Sequence, residues 1–353
     1  MGIEELLRSM ADKGASDLHI RVPGPAVMRI DGKLMPQEDL PRLSPADVEQ
    51  IFKQVTTESQ RETFYRDLEL DFAYSIPDIA RFRVNVMRQR GTMSIAFRRV
   101  PFEIPTIAEL GLPQICKQLV LKPRGLVLVT GPTGSGKSTT LAAMINYLNK
   151  HESRNVITIE DPIEYLYKNE MCIMAQRDLG DDTKSFANAL IHALRHDPDV
   201  ILVGEMRDLE TIRTAITAAE TGHLVLGTLH TVDAVQTVDR IIDAFPPEHQ
   251  RQIRLQLSQV MEAVLSQTLL PRAKGRGRIA AFEILIATPA VRNLIRTSKT
   301  FELPSVLQLA ARDGMQTLNQ ALVSLVQSQT VTMEEAVMKS SDPNQLKRLI
   351  QGY

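Results

Sequence analysis

Apolar residues change their spacing along this chain. In the first hundred positions Ile3, Leu6, Leu7 and Met10 recur at helical intervals and predict a short amphipathic helix. An extended stretch starts at Ser16-Asp17-Leu18-His19-Ile20 and is punctuated by Pro23-Gly24-Pro25. Val27–Ile30 and Lys33–Met35 then read as a hairpin turning at Asp31-Gly32. Pro45 to about Gln60 reads as a helix, and Leu70–Tyr74, Ala80–Val86 and Ser94–Arg98 as antiparallel strands. In the middle strand Arg81 and Arg83 share one face and alternate with Phe82, Val84 and Val86.

Pro101, Pro105 and Pro113 mark a semi-rigid linker over 101–113. Beyond it the pattern becomes four continuous apolar runs: Leu126–Val129, Val156–Ile159, Val200–Val203 and Leu224–Leu229. Helical stretches separate them, at Ser138–Asn149, Ser185–His196, Leu209–Thr221 and Gln250–Thr268. Unbroken apolar runs between helices are the mark of parallel strands covered on both faces, so the class is α/β. A strand over Ile279–Ile286 follows a basic turn at 272–278, and short helices follow from Pro289. The expected organisation is a domain at 1–100, a linker at 101–113, a core at 114–288 and a helical segment at 289–353.

Charge and composition narrow the function. Lys and Arg total 41 against 42 Asp and Glu, so the basic excess of a nucleic-acid grip is missing. With no Trp, stacking platforms for bases are few, and no nucleic-acid partner is expected. Cys116 and Cys172 can make neither a disulfide framework nor a four-thiolate zinc site, and read as free thiols in a reducing compartment. Acids near the N-terminus, and no run of about 18 apolar residues, predict a cytoplasmic chain with no direct membrane insertion.

Gly131-Pro132-Thr133-Gly134-Ser135-Gly136-Lys137-Ser138 is a complete P-loop, entered from an apolar strand and left by a helix. Its glycines let successive N–H groups turn toward a polyphosphate, and the helix N-terminus adds a positive dipole end. Gly131, Thr133, Gly134, Ser135, Gly136, Lys137, Ser138 and Thr139 are the expected ATP-binding set. Lys137 reaches the β- and γ-phosphates, and Ser138 offers its hydroxyl to Mg²⁺.

Carboxylates follow at two further strand ends. Gly204-Glu205 closes the run Val200–Val203, and Glu205 is expected beside the P-loop as a second Mg²⁺ ligand. Glu160-Asp161-Pro162-Ile163-Glu164 closes the run Val156–Ile159, expected on the strand next to the P-loop strand. Glu164 is the choice to position the attacking water, with Glu160 and Asp161 as ionic support. His230, at the carboxyl end of Leu224–Leu229, can donate to a γ-phosphate oxygen and sense its loss, whereas His223 sits at the opposite end.

Taken in order, the P-loop, the Glu160–Glu164 box, Gly204-Glu205 and the His223–His230 box resemble the secretion and type IV pilus motor ATPases, over essentially the whole chain. Residues 290–296 and 314–318 are similar to the C-terminal signature of its pilus-retraction branch, with Thr297 where that signature carries Glu. The two cysteines exclude the tetracysteine zinc insertion of the extension branch. The resemblance implies a RecA-like P-loop ATPase core with a smaller PAS-like α+β N-terminal domain, assembled as a homohexamer. It also implies pilus retraction and twitching motility as output, through an inner-membrane platform protein to which the motor is peripheral. Catalytic arginines from the N-terminal domain are implied too, with Arg83 and Arg98 as candidates and Arg81, Arg88, Arg90 and Arg195 as rivals. The competing readings are an accessory pilus motor subunit, a RecA-like nucleic-acid-dependent ATPase and a small-molecule kinase.

Overall fold

The structure is a computed structural model that describes residues 2–30, 32–77, 79–100, 103–275 and 277–351. Asp31 of the expected turn, Pro101 of the expected linker and Arg276 of the basic turn lie outside the described residues. The chain forms two compact units, Met1–Glu103 and Ile104–Tyr353.

In the first unit, helices α1 (Ile3–Asp12), α2 (Pro45–Val55) and α3 (Glu58–Asp67) accompany six strands. These are β1 (Asp17–Arg21), β2 (Val27–Ile30), β3 (Lys33–Pro36), β4 (Glu69–Ile76), β5 (Ala80–Gln89) and β6 (Thr92–Val100). They make one antiparallel sheet in the order β3-β2-β1-β6-β5-β4. Leu18, Ile20, Phe82, Val84, Val86, Ile95 and Phe97 bury one sheet face in a core shared with Leu6, Leu7 and Met10 of α1 and with Val48 and Phe52 of α2. Alternation therefore puts Asp17, Arg83 and Arg98 on the other face. The helix expected over 45–60 is two helices. Thr57 caps α3 through its own capping box, and Thr56 is extended, so the helical hydrogen bonds cannot run through.

In the second unit a seven-stranded sheet runs β13-β12-β7-β11-β10-β8-β9. Its strands are β7 (Gly125–Thr130), β8 (Asn155–Glu160), β9 (Ile173–Asp178), β10 (Val200–Val203), β11 (Leu224–Leu229), β12 (Met261–Pro271) and β13 (Arg278–Ile286). All neighbours are parallel except the β12–β13 hairpin. The helices are α4 (Ile115–Val120), α5 (Lys137–Asn149), α6 (Phe186–Ala193), α7 (Leu209–Glu220), α8 (Ala234–Asp243) and α9 (Pro247–Val260), followed by α10 (Pro289–Arg296), α11 (Leu303–Leu309), α12 (Leu318–Gln327), α13 (Met333–Lys339) and α14 (Pro343–Gln351). On β7, Leu126 and Leu128 enter the core with α7 and α9, while Val127 and Val129 enter the opposite core with α5. Two cores, one per sheet face, are why the strand runs are continuously apolar.

Three expectations change here. The helix expected over 250–268 stops at Val260, and the chain passes directly into β12. Ile253, Leu257, Met261 and Val264 keep near-helical spacing across that junction, so a strand buried on both faces imitates a helix. Secondly, neither acidic strand adjoins β7: β11 does, with β10 and then β8 beyond it. Thirdly, the second half of the 101–113 segment is anchored, because Ile107 and Leu112 are buried among Leu119, Val127 and Leu141.

Candidate active site

β7 delivers the chain into the glycine-rich loop, and α5 starts at Lys137 with Gly136 as its N-cap. Lys137 is buried and donates from Nζ to the carbonyl oxygens of Gly131 (2.9 Å) and Pro132 (3.1 Å). Burial lowers its pKa, while the negative charge of Glu205 pulls the other way. A buried ammonium bonded to two neutral carbonyls is suited to exchange them for an anion. Ser135 Oγ is buried without a partner, a second polar atom that a ligand at the loop would satisfy. Thr133, Gly134 and Ser138 are exposed around them.

Glu205 is held by the strands on both sides of it. Gly204 N–H donates to Ile159 O (2.7 Å), Met206 N–H to Thr228 O (3.0 Å) and Thr228 Oγ1 to Gly204 O (2.5 Å). A glycine suits position 204, since an added Cβ would stand tightly, 3.0 Å from Ile159 O and 3.2 Å from Glu160 Cα. The Glu205 carboxylate pairs with His230 Nε2 (2.8 Å) and accepts a short hydrogen bond from Arg207. Burial raises its pKa, but the Arg207 bond and the charges of His230 and Arg207 outweigh that and hold it below the usual carboxylate value. The negative charge of Asp161 also favours the charged form of Arg207.

The acidic box reaches the loop although β8 does not adjoin β7. Tyr165 Oη lies 3.1 Å from Thr139 Oγ1 in the first turn of α5. Farther along the helix Asn149 binds Lys168 O, and its Oδ1 accepts from the N–H groups of Glu170 and Cys172. Within the box the carboxylates differ. Asp161 is exposed and Glu164 half-buried, its N–H 3.4 Å from Glu160 Oε2. Glu160 is buried, bonded by Thr158 Oγ1 (2.6 Å) and Gln176 Nε2 (3.3 Å). Burial pushes its pKa up, which disfavours the ionic role expected of it.

His223 stands apart at the start of β11, its Nδ1 2.9 Å from Ala218 O, where it finishes α7. On the first unit Arg83 and Arg98 are directly paired across β5 and β6, and Arg98 Nε donates to Asp17 Oδ1 at 2.8 Å. Of their rivals, Arg88 binds Gly91 O and Arg90 sits in the same hairpin turn, Arg81 stays on the strand face, and Arg195 is exposed after α6.

One residue was missed. Gln267 on β12 donates from Nε2 to Ser135 O at 2.6 Å. The helical periodicity assigned to 250–268 hid it, and no motif marks it.

Mg²⁺ takes oxygen ligands, and the Ser138 hydroxyl with the Glu205 carboxylate suit it. Among the described residues no cluster of three His, Cys, Asp or Glu could hold a metal alone, so phosphate and water would complete its shell.

The sequence model of the Type II/IV secretion system protein family matches residues 2–338. The chain is similar to the "Type IV pilus retractation ATPase PilT" of Pseudomonas aeruginosa, 48% identical over 97% of this chain and 99% of that protein. It is also similar to the "Twitching motility protein" of Neisseria gonorrhoeae, 50% identical over 88% of this chain and 83% of that one. A crystal structure described as the pilus retraction motor PilT with bound ADP superposes with a TM-score of 0.92, at 47% identity, covering 99% of both chains.

Proposed function

This chain belongs to the Type II/IV secretion system protein family, and from that premise we infer that it is an ATPase motor driving type IV pilus retraction and twitching motility. The observation that carries this reading is the buried Lys137 bonded to Gly131 O and Pro132 O in the glycine-rich loop of a chain that also pairs Glu205 with His230 and is nearly half identical to a retraction ATPase. We read the core as RecA-like and the first unit as PAS-like.

ATP binds with its phosphates in the loop. The N–H groups of Gly134, Gly136 and Lys137 and the start of α5 receive the phosphate oxygens, and Lys137 Nζ trades its two carbonyls for them. Ser138 and Glu205 would hold Mg²⁺, which when bound neutralises charge on the β- and γ-oxygens. Glu164 orients the water that attacks the γ-phosphate, with Asp161 nearby, and Glu160 supports the box by hydrogen bonding. His230 donates to a γ-phosphate oxygen and returns to Glu205 when that phosphate leaves. Arg83 and Arg98 bring cations to the transferring phosphoryl group, an effect worth ~10³–10⁵ in rate. Loss of the γ-phosphate removes these contacts, and the first unit rotates about the part of the 101–113 segment that precedes the buried Ile107.

Six copies in a ring turn that rotation into force on a platform protein at the inner membrane, with the motor peripheral on the cytoplasmic side. No helix among the described residues is long and apolar enough to cross a membrane.

Phosphate release by the purified chain tests the chemistry. Lys137→Ala and Glu205→Ala should each lose on the order of 10²-fold or more in turnover. Wild-type turnover in both removes the catalytic assignment, and a chain that stays monomeric at every concentration removes the ring.

A further inference from the structure

Gln267 lies under the phosphate loop on β12. The parallel register pairs Ser266 with Thr130, which sets Gln267 beside the first residue of the loop. Its side chain is buried, and Nε2 donates to Ser135 O at 2.6 Å. Two loop glycines are shaped by its presence. A Cβ at Gly131 would run into the Gln267 carbonyl oxygen, and one at Gly136 would stand 3.1 Å from Gln267 Nε2. Both also have left-handed φ values, 141° and 91°, where glycine alone is comfortable. Beside them, Ser266 Oγ binds Thr130 Oγ1 at 2.8 Å and Thr237 Oγ1 approaches at 3.5 Å, so the entry to the loop is bonded on this side.

We propose that Gln267 is a positioning residue that turns the Gly136 N–H toward bound phosphate. The Ser135–Gly136 peptide is not among the cis bonds, and in a trans peptide the C=O and the N–H point in opposite directions. Holding Ser135 O against β12 therefore directs the Gly136 N–H away from β12 and into the loop. Gly136 caps α5, so that N–H stands at the positive end of the helix. Ser135 Oγ is buried and has no partner among the described residues, a hydroxyl that an incoming anion would satisfy.

This inference rests on the reading of the loop as a nucleotide phosphate site, and the test separates the two. ADP affinity by equilibrium titration and ATP turnover are measured for the wild-type chain, Gln267→Leu and Gln267→Glu. Gln267→Leu should raise the ADP Kd and the ATP KM about tenfold, the effect of one misdirected charge-assisted hydrogen bond. Its kcat should stay within about twofold, because the lost contact serves bound substrate and transition state alike. Gln267→Glu keeps the size and, when protonated, donates an O–H in place of Nε2–H. Its KM, divided by the wild-type KM at each pH, should therefore be near one in acid and climb as the carboxyl ionises. An unchanged Kd and KM in Gln267→Leu, a fall in kcat at constant KM, or a flat ratio in Gln267→Glu each overturns the assignment. A wild-type chain that binds no ADP overturns the nucleotide reading instead.

Discussion

His230 Nε2 stands 2.8 Å from Glu205 Oε1, joining the ends of two adjacent parallel strands in one pair. The pair exists because β10 ends at Val203 opposite Gly227, two residues before β11 does, and the turn after β10 is bonded to Thr228. His230→Ala should lower kcat by ~10²-fold, in the range found for loss of a single donor to developing charge. Nucleotide affinity should hold, since Lys137 and the loop are untouched. Single-turnover phosphate release checks this, and a weakened Kd at unchanged kcat would count against the role.

The first unit makes a second prediction. Asp17 sits between Arg29 and Arg98 in register across three strands, and Ser16 Oγ also donates to it. Burial raises the Asp17 pKa, but bonds from Ser16 and Arg98 hold it below the usual value. Arg98→Ala and Arg83→Ala should bind ADP as wild type does and lose ~10³-fold or more in turnover. Normal turnover in both would return the catalytic cation to Arg81 or Arg195.

Glu160 gives a pH dependence. Burial raises its folded-state pKa, and the bonds from Thr158, Glu164 N–H and Gln176 only partly oppose this. The folded state thus binds its proton more tightly than the unfolded one does. That contribution to stability is whole at low pH and is lost as pH climbs from the ordinary Glu value of about 4.3 through the raised folded value. Glu160→Gln should remove this loss. Urea midpoints between pH 4 and 8 should show wild type falling relative to the variant as pH rises; parallel profiles would show that Glu160 is not titrating in the fold.

Arg292 and Arg296 separate packing from surface. Arg292 donates to Ala287 O (2.9 Å), Ser258 O (2.9 Å), Gln259 O (2.7 Å) and Glu262 Oε1 (2.9 Å), closing the end of α9 where it becomes β12. Arg296 is exposed and binds Asn293 Oδ1 within its own helix. Arg292→Ala should cost on the order of 2 kcal/mol. That is a fall of roughly 4–8 °C in melting temperature for a unit of this size. Arg296→Ala should melt as wild type does. Equal melting of both variants would contradict the capping role.

Much of this was legible locally. Gly131 to Ser138 carries its own chemistry, because glycines, a lysine and a helix start act within eight consecutive residues. Apolar runs at Leu126–Val129, Val156–Ile159, Val200–Val203 and Leu224–Leu229 marked buried strands, and their carboxyl ends marked Glu160, Glu205 and His230. The His223 pairing with Ala218 O was not legible, because it depends on how the chain turns after α7.

The sequence by itself determined which segments are buried strands, where the glycine-rich loop with its lysine lies and which strand ends carry charge, because each of these depends on residues close together in the chain. Only the tertiary structure decided the order β7-β11-β10-β8 and the burial of Glu160. It also decided the switch from α9 to β12 and, with it, the placement of Gln267 under Ser135. An apolar run states that a strand is covered, not which strand lies beside it. That choice is made by the crossovers and by how side chains from distant segments fill the two cores.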